Sequence, residues 1–458
     1  MKDLTVGKEG KLILNFALPM LVGNVFQQTY NIVDSIIVGK FLGKEALAAV
    51  GASFPIIYAI IAMVIGIGSG ASVIISQYFG AKDYQSVKKA SDTISILLMI
   101  AGVVVGIVGV LFSRSLLRLV LLPEELIPQA QLYLSIYLGG MVVFFGFNGI
   151  SSILRGLGDS KTPLYFLIIA TVFNILFDFL FILVFKWGVA GAAIATVVAQ
   201  GGAFVTAIIY LNKTHTILKY SIKKLSFSWH IFYQSLRIGL PSGIQQTLIA
   251  VGIVALNSIV NTFGTNVIAA YSAAGRIDSL AAMPAMNFSA ALSSFVGQNL
   301  GAGKLDRIRK GLASTLIMSA IVCIFLTLGI VTFGNELMSL FTTDGEVIRI
   351  GEQYLIIVSS FYILFSTMFV FSGLLRGAGA TLIPMFITVL SLWIFRLPAA
   401  IFLSHIIGEQ GIWWSIPIGW AMGLLASIVY YLSGKWKNKG VILLDTRVTE
   451  TKPHLYSE

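Results

Sequence analysis

Apolar runs of roughly twenty residues, separated by short polar and basic stretches, recur from one end of the chain to the other. A helix rises about 1.5 Å per residue, so about 20 apolar residues cross the hydrocarbon core of a bilayer. The runs predict twelve crossing helices, at 12–38, 47–75, 91–113, 132–154, 163–185, 188–211, 235–261, 267–296, 312–334, 351–374, 381–405 and 410–433. Strands of a membrane barrel would instead alternate over segments of about ten residues, which these do not. The expected fold class is therefore all-α, a polytopic membrane protein. The start of the chain could pass for a signal peptide, but no small-residue cleavage site follows and the apolar run continues past Asp34. It reads as the first permanent span.

Composition agrees with this reading. Of the 458 residues 57% are apolar and 11% charged, against about 25% charged in soluble domains. The net charge of +11 does not imply nucleic acid, because the basic residues sit in the loops between apolar runs. The termini and every second loop hold roughly 23 Lys and Arg, the opposite loops roughly 6. Positive charge stays in the cytoplasm, so both termini are expected there. Cys323 is the lone cysteine and lies in an apolar run, which leaves no disulfide framework or cysteine metal site. The longest loop mixes Lys with Leu, Ile, Trp and Phe and is expected to lie as an amphipathic linker on the inner membrane face. It divides the chain into lobes at 1–212 and 235–434, with the linker at 213–234 and a cytoplasmic tail at 435–458.

The two halves repeat. At a shift of 221 residues, Ser76–Ala90 overlays Gly297–Gly311, pairing Gln77 with Gln298, Gly80 with Gly301 and Lys89 with Lys310. Ile153–Pro163 overlays Leu374–Pro384, pairing Arg155 with Arg376, Gly156 with Gly377 and Gly158 with Gly379; at a shift of 222, Leu18-Pro19 meets Leu240-Pro241. Each repeat has an even number of crossings, so both insert the same way round. Transporters built so place their substrate between the halves near mid-membrane. The repeated glycines read as turn residues, and the arginines as caps on helix ends.

The chemistry does not repeat. In the first span Asn24, Gln27, Asn31 and Asp34 recur at steps of three and four, which puts them on one stripe. Thr171, Asn174 and Asp178 do the same in the fifth. At the repeat shift Asn174 falls on Phe395, Asp178 on Ala399 and Asp34 on Ala255 or Leu256. A carboxylate at membrane depth costs at least about 2.5–3.5 kcal/mol, so it faces protein or a wet cavity. With Asn148 and Thr196, the two acids supply carboxylate, amide and hydroxyl oxygens. Loss of water favours a neutral carboxyl, and a second carboxylate favours it further. Such a set suits a proton, or alternatively Na⁺, for which Asp34 and Asp178 would be the metal ligands. The second half offers Gln245, Gln246, Asn257, Asn261, Tyr271, Ser272, Arg276 and Asp278. Arg276 and Asp278 are two apart and do not face each other; each pairs across helices or lines the central cavity. Gln27, Asn31, Gln245, Arg276 and Met283 are the expected substrate cavity, with Met as an adaptable apolar surface.

The sequence resembles the MATE (multidrug and toxic compound extrusion) transporters, most closely their prokaryotic DinF-like branch. The resemblance rests on LP…Q…YNIVDSIIVGKFLG at the start, RGLGDSKTP after the fourth span, NILFD in the fifth, GVAGAAIAT in the sixth and MPAMNFSAALSSFVGQNLGAG ending the eighth. It implies a V-shaped pair of six-helix lobes exporting small organic, often cationic, compounds against inward H⁺ or Na⁺, with no cofactor. It carries the first-lobe cation site onto Asp34, Asn148, Asn174, Asp178 and Thr196, and the bending proline onto Pro19. The NorM-like branch has an acid in the seventh helix where this chain has Gln245 and Gln246, which favours coupling in the first lobe. A monomer in a bacterial inner membrane is expected. The alternative is a flippase for lipid or lipid-linked oligosaccharide, which would favour a strongly cationic cavity; the second half offers only Arg276 and Arg396 at depth. No GxSxG or HExxH pattern supports an intramembrane enzyme.

Overall fold

The computed structural model describes residues 2–214, 218 and 225–442. Every regular element among them is a helix. The first half holds α1 (Glu9–Leu42), α2 (Lys44–Gly80), α3 (Tyr84–Leu119), α4 (Ile127–Gly139), α5 (Met141–Gly156), α6 (Lys161–Asp178) and α7 (Gly188–Thr214). The second holds α8 (Trp229–Val260), α9 (Thr265–Gly301), α10 (Leu305–Ser339), α11 (Gly345–Ser359), α12 (Tyr362–Gly377), α13 (Leu382–Thr388), α14 (Leu397–Ile407) and α15 (Glu409–Leu432).

Among the described residues nine single helices, counting the fifth and eleventh spans as continuous, are long and apolar enough to cross a membrane, and two bent pairs, α4 with α5 and α11 with α12, qualify together. α1 completes the twelve spans; its polar residues keep its hydropathy below the others. The bends measure 46° and 50° and fall at Gly140 and at Ser360–Phe361, related positions of the repeat. Wide, π-helical turns follow α6 at Phe179–Val184 and link α13 to α14 at Val389–Arg396. Ile317, Ile321, Ile324, Phe325 and Leu328 on α10 are exposed, as expected of a face turned to lipid.

Each lobe has its own apolar core. A third core joins them at the end of the bundle where the described residues begin and end: Leu4, Leu12, Ile13, Phe16 and Ala17 pack with Phe288, Phe295, Leu312 and Trp436. α1 is thus shared. Its first turns rest on the second lobe, with Glu9 ion-paired to Arg307 at 3.0 Å. Beyond Pro19 it lies on α6, where a Cβ on Gly23 would touch Leu164 and Leu167.

The repeated motifs meet across the pseudo-twofold axis. Gln77 donates to the carbonyl of Gly377 and Gln298 to that of Gly156, both at 3.0 Å. Their other amide atoms accept from the backbone of Val441 at 2.6 Å and Leu4 at 2.8 Å. Gly158 and Gly379 do turn with positive φ, +80° and +86°. Gly80 and Gly301 serve closure instead: a Cβ on either would lie 1.9 or 2.0 Å from the carbonyl oxygen of the opposite glutamine. Arg155 and Arg376 reach serine hydroxyls, Ser152 at 3.0 Å and Ser289 at 2.9 Å, rather than helix-end carbonyls. The described hydrogen bonds between lobes lie in this half of the bundle, the deepest being Asn24 to Asn287 at 3.1 Å. Beyond it the lobes part, giving the V.

Replacing Gln77 or Gln298 with Ala removes two hydrogen bonds and leaves buried partners unpaired, a cost of about 2 kcal/mol to the closed end. Distances between spin labels on α2 and α9 are expected to shift toward separation in either variant, and more in the pair.

α8 starts at Trp229, inside the stretch assigned to the linker, and its neighbour Ser228 donates its N–H to Thr93 at 3.0 Å. The middle of the linker (215–217 and 219–224) and the tail from 443 lie outside the described residues. The tail's beginning is structural: Trp436 is buried and stacks on Tyr431.

Candidate functional site

In the first lobe α1, α6 and α7 converge on a cavity of about 10 Å³ lined by Tyr30, Thr171, Asn174, Thr196 and Gln200. That is room for about one water, and far below the roughly 300–1,000 Å³ of an organic-ligand pocket. Asp178 and Asn174 come from one face of α6, and both are buried, as is Thr196. The Asn174 amide is satisfied with its nitrogen donating to Asp178 Oδ2 at 3.2 Å and its oxygen accepting from the Thr196 hydroxyl and N–H at 3.3 Å. Asp178 closes α6 just where the backbone widens into the π-helical turn, a distortion frequent at functional positions.

Asp34 is 9% exposed and within electrostatic reach of Asp178. Asp34 Oδ1, Asp178 Oδ1 and Gln200 Oε1 are buried with no hydrogen-bond donor among the described residues. Buried acceptors left this way are costly, so the arrangement is complete only with something positive: a proton on a carboxyl, or a small cation.

Four of the five expected cation-site residues are therefore together. Asn148 is not part of the hydrogen-bonded set. It is half-buried, and its nitrogen donates to the carbonyl of Phe144 one turn back. Three tyrosines that the sequence reading passed over surround the acids: Tyr30, Tyr133 and Tyr137 each lie in electrostatic reach of Asp34. A signal existed. Tyr30 stands four residues before Asp34, and Tyr133 and Tyr137 are four apart, hence on shared helix faces.

The first-span stripe divides in the fold. Asp34 turns into the lobe, whereas Asn24 and Asn31 line the cleft with Gln28 and Ser35. Gln27 is exposed. Across the cleft, Ser272, Arg276, Ser279 and Met283 form a stripe on α9 that leads to Asn287, the partner of Asn24. Arg276 is exposed on it and Met283 half-buried. Gln245 does not reach the cleft. It is 8% exposed and donates to Thr388 Oγ1 at 2.8 Å and to the Pro384 carbonyl at 3.2 Å. Its amide holds α13 against α8, because Thr388 stands where the ladder widens. Arg276 and Asp278 do point apart, and Asp278 accepts from the Tyr354 hydroxyl at 3.3 Å.

The MatE family model matches twice, over residues 19–180 and 241–402, so its repeat is the repeat read above. The chain is 34% identical over 435 residues to the probable multidrug resistance protein YpnP of Bacillus subtilis (strain 168), covering 95% of this chain and 97% of that one. It is 26% identical to an FAD transporter of Shewanella oneidensis, covering 93% and 94%. Among solved structures it superposes with a TM-score of 0.87 and 28% identity on a multidrug resistance MATE transporter in an outward-facing conformation, covering 95% of this chain and 97% of that one. With twelve spans in two like lobes, a polar cleft between them and the family pattern in both halves, the chain belongs to the MATE multidrug efflux transporters, multi-pass membrane proteins that move small organic compounds and are not enzymes.

Proposed function

We propose that the chain is an antiporter that exports organic compounds by alternating access, coupled to entry of H⁺, or failing that Na⁺, at Asp34 and Asp178. The carrying observation is the pair of buried carboxyl groups with unpartnered oxygens, next to a one-water cavity lined by Asn174 and Thr196, present in only one of two like lobes. Asn174, Thr196 and the three tyrosines position the pair. The larger cargo occupies the cleft between α1 and α9. The lysine-rich end where the described residues begin and end faces the cytoplasm, so the described form is open outward. One relative is described as an FAD transporter, so cargo within the family reaches at least to a nucleotide cofactor.

The proton's arrival is transmitted through α1. Its start is anchored on the second lobe and its continuation, with Asp34, on the first. Pro19 lies between, half-buried in an unbroken helix. A proline removes one ladder hydrogen bond and crowds the turn before it, so α1 bends there most easily. Neutralising Asp34 changes what holds the later half of α1 to α6 and α7; the bend narrows the lobe and displaces cargo. The energy suffices: about 2.3 kcal/mol per charge per 100 mV and about 1.4 per pH unit, against the few kcal/mol that switch a two-state protein.

Dye efflux from proteoliposomes under imposed proton or sodium gradients tests this. A proton gradient alone should sustain efflux; efflux indifferent to both gradients would sink the reading. Pro19→Ala restores a ladder bond and is expected to slow efflux several-fold with dye affinity within about twofold, read from rates against equilibrium binding.

A further inference from the structure

Among the described residues each lobe leaves one buried aliphatic hydroxyl unpartnered, Thr171 Oγ1 and Ser359 Oγ, and the remaining unpartnered groups differ in polarity. In the first lobe Asp34, Asp178 and Gln200 leave acceptors. In the second, Arg396 Nε and Trp413 Nε1 are buried with no hydrogen-bond partner among the described residues, and Tyr362 Oη, with none within 3.5 Å, is turned toward Asp278. A guanidinium and an indole N–H can only donate, and a phenol donates readily. One cluster contains all three residues. Arg396 closes the π-helical turn Val389–Arg396. Tyr271 of α9 stacks on Trp413 of α15 at 5.5 Å, and Tyr354 of α11 meets the same indole edge-on at 5.0 Å. Tyr354 occupies the place in the second repeat that Tyr133 holds beside the acids in the first.

Asp278 is the cluster's one carboxylate, and it does not complete Arg396. It lies in electrostatic reach of the guanidinium, yet among the described residues Arg396 has no ion pair within 4.0 Å and no hydrogen bond. Asp278 takes the Tyr354 hydroxyl instead, with the Tyr362 hydroxyl also in its reach. Arg396 as a whole is half-buried. Arg276, on the cleft stripe of α9, also lacks an ion pair among the described residues, and it offers positive charge along the way in. A planar guanidinium beside an N–H donor in an aromatic setting suits one anionic group, which it can bind through two parallel bonds.

We propose that the second lobe binds a single anionic group at Arg396, with Trp413 as a further donor, supplied by the acid function of an exported compound or by a small free anion. Asp278 sets the limit. It offsets the guanidinium charge and repels an incoming anion, so it keeps occupancy low until cargo with the right shape arrives. The site stands on groups that the first-lobe acids do not touch, and it is tested apart from them.

The test is titration of the purified full chain in nanodiscs with benzoate and with chloride, read by tryptophan fluorescence. Ionic strength is held with sulfate, which is too strongly hydrated to enter an aromatic pocket. Wild type is expected to bind benzoate saturably. Arg396→Gln should weaken it about tenfold or more, since a hydrogen bond to a charged group is lost, while Asp278→Asn should tighten it several-fold. Trp413→Phe should weaken it and remove most of the fluorescence change. Binding of chloride with competition against benzoate identifies a free ion as the source; benzoate binding that chloride leaves alone identifies the acid function of an organic cargo. Either result supports the site. No saturable response to either probe, or equal affinity in wild type and Arg396→Gln, overturns it. If Asp278 served only as the internal partner of Arg396, Asp278→Asn would lower thermal stability and leave benzoate affinity no tighter, which also overturns it. Asp34→Asn should leave benzoate binding intact, so failure of the coupling scheme is seen separately.

Discussion

Asp34→Asn is expected to abolish dye efflux driven by a pH gradient while leaving the protein folded. The amide has almost the shape of the carboxyl but no proton to lose at any working pH, so the step that couples α1 to the gradient has no reactant. The loss should be at least about 100-fold in coupled rate, since removal of a required protonation state is all-or-none rather than graded. Stability should not fall. Asp34 Oδ1 has no hydrogen-bond donor among the described residues, so the substitution breaks no bond and removes a buried acceptor that is costly when charged. A thermal midpoint in detergent equal to or above wild type is expected. Dye should still bind in the cleft, because the first-lobe cavity lined by Tyr30, Asn174 and Thr196 is too small for it. Normal gradient-driven efflux by a folded Asp34→Asn protein would remove the basis of the mechanism.

Gly80→Val is the second large effect, and it acts at the opposite place. At Gly80 a Cβ would sit 1.9 Å from the carbonyl oxygen of Gln298, and at Gly301 2.0 Å from that of Gln77. Those are backbone atoms and do not swing aside. The lobes must separate at the terminal end, which gives up the glutamine bridges and the shared core of Leu4, Phe16 and Phe295. The variant should be held open at that end and lose efflux at least about tenfold, and Gly301→Val should behave alike because it is the same contact seen from the other repeat. Gly51→Ala on the same helix α2 is the control. Nothing lies within 4 Å of its Cβ position, so it should transport normally and gain up to about 1 kcal/mol of helix stability. Efflux rates and label distances across the terminal end read both. Wild-type distances in Gly80→Val would contradict the closure described.

Much of this was legible in the sequence because membrane crossings and duplication leave long, redundant patterns. The twelve apolar runs, the register of 221 residues and the unrepeated acids all survive an error of a few residues. What stayed hidden depends on which helix neighbours which. Spacing placed Asn24, Gln27, Asn31 and Asp34 on one stripe, but the stripe is wider than one environment. Asp34 enters the lobe, whereas Asn24 crosses the cleft to Asn287. Gln245 read as a cavity residue since its partners, Thr388 and the Pro384 carbonyl, are about 140 positions away. The bends at Gly140 and Ser360–Phe361 carry no proline, and only the Gly139-Gly140 pair offered a hint. The paired glycines looked like turn residues because φ is the local reason for glycine; at Gly80 and Gly301 the reason is a backbone from the other lobe.

The most direct measurement of the central claim is proton release on dye binding, followed with a pH indicator in lightly buffered solution of the purified protein. If cargo and proton compete through Asp34 and Asp178, wild type should release on the order of one proton per dye bound, and Asp34→Asn with Asp178→Asn should bind dye and release none. Dye binding to wild type with no proton release, or equal release from the doubly substituted protein, would contradict the account.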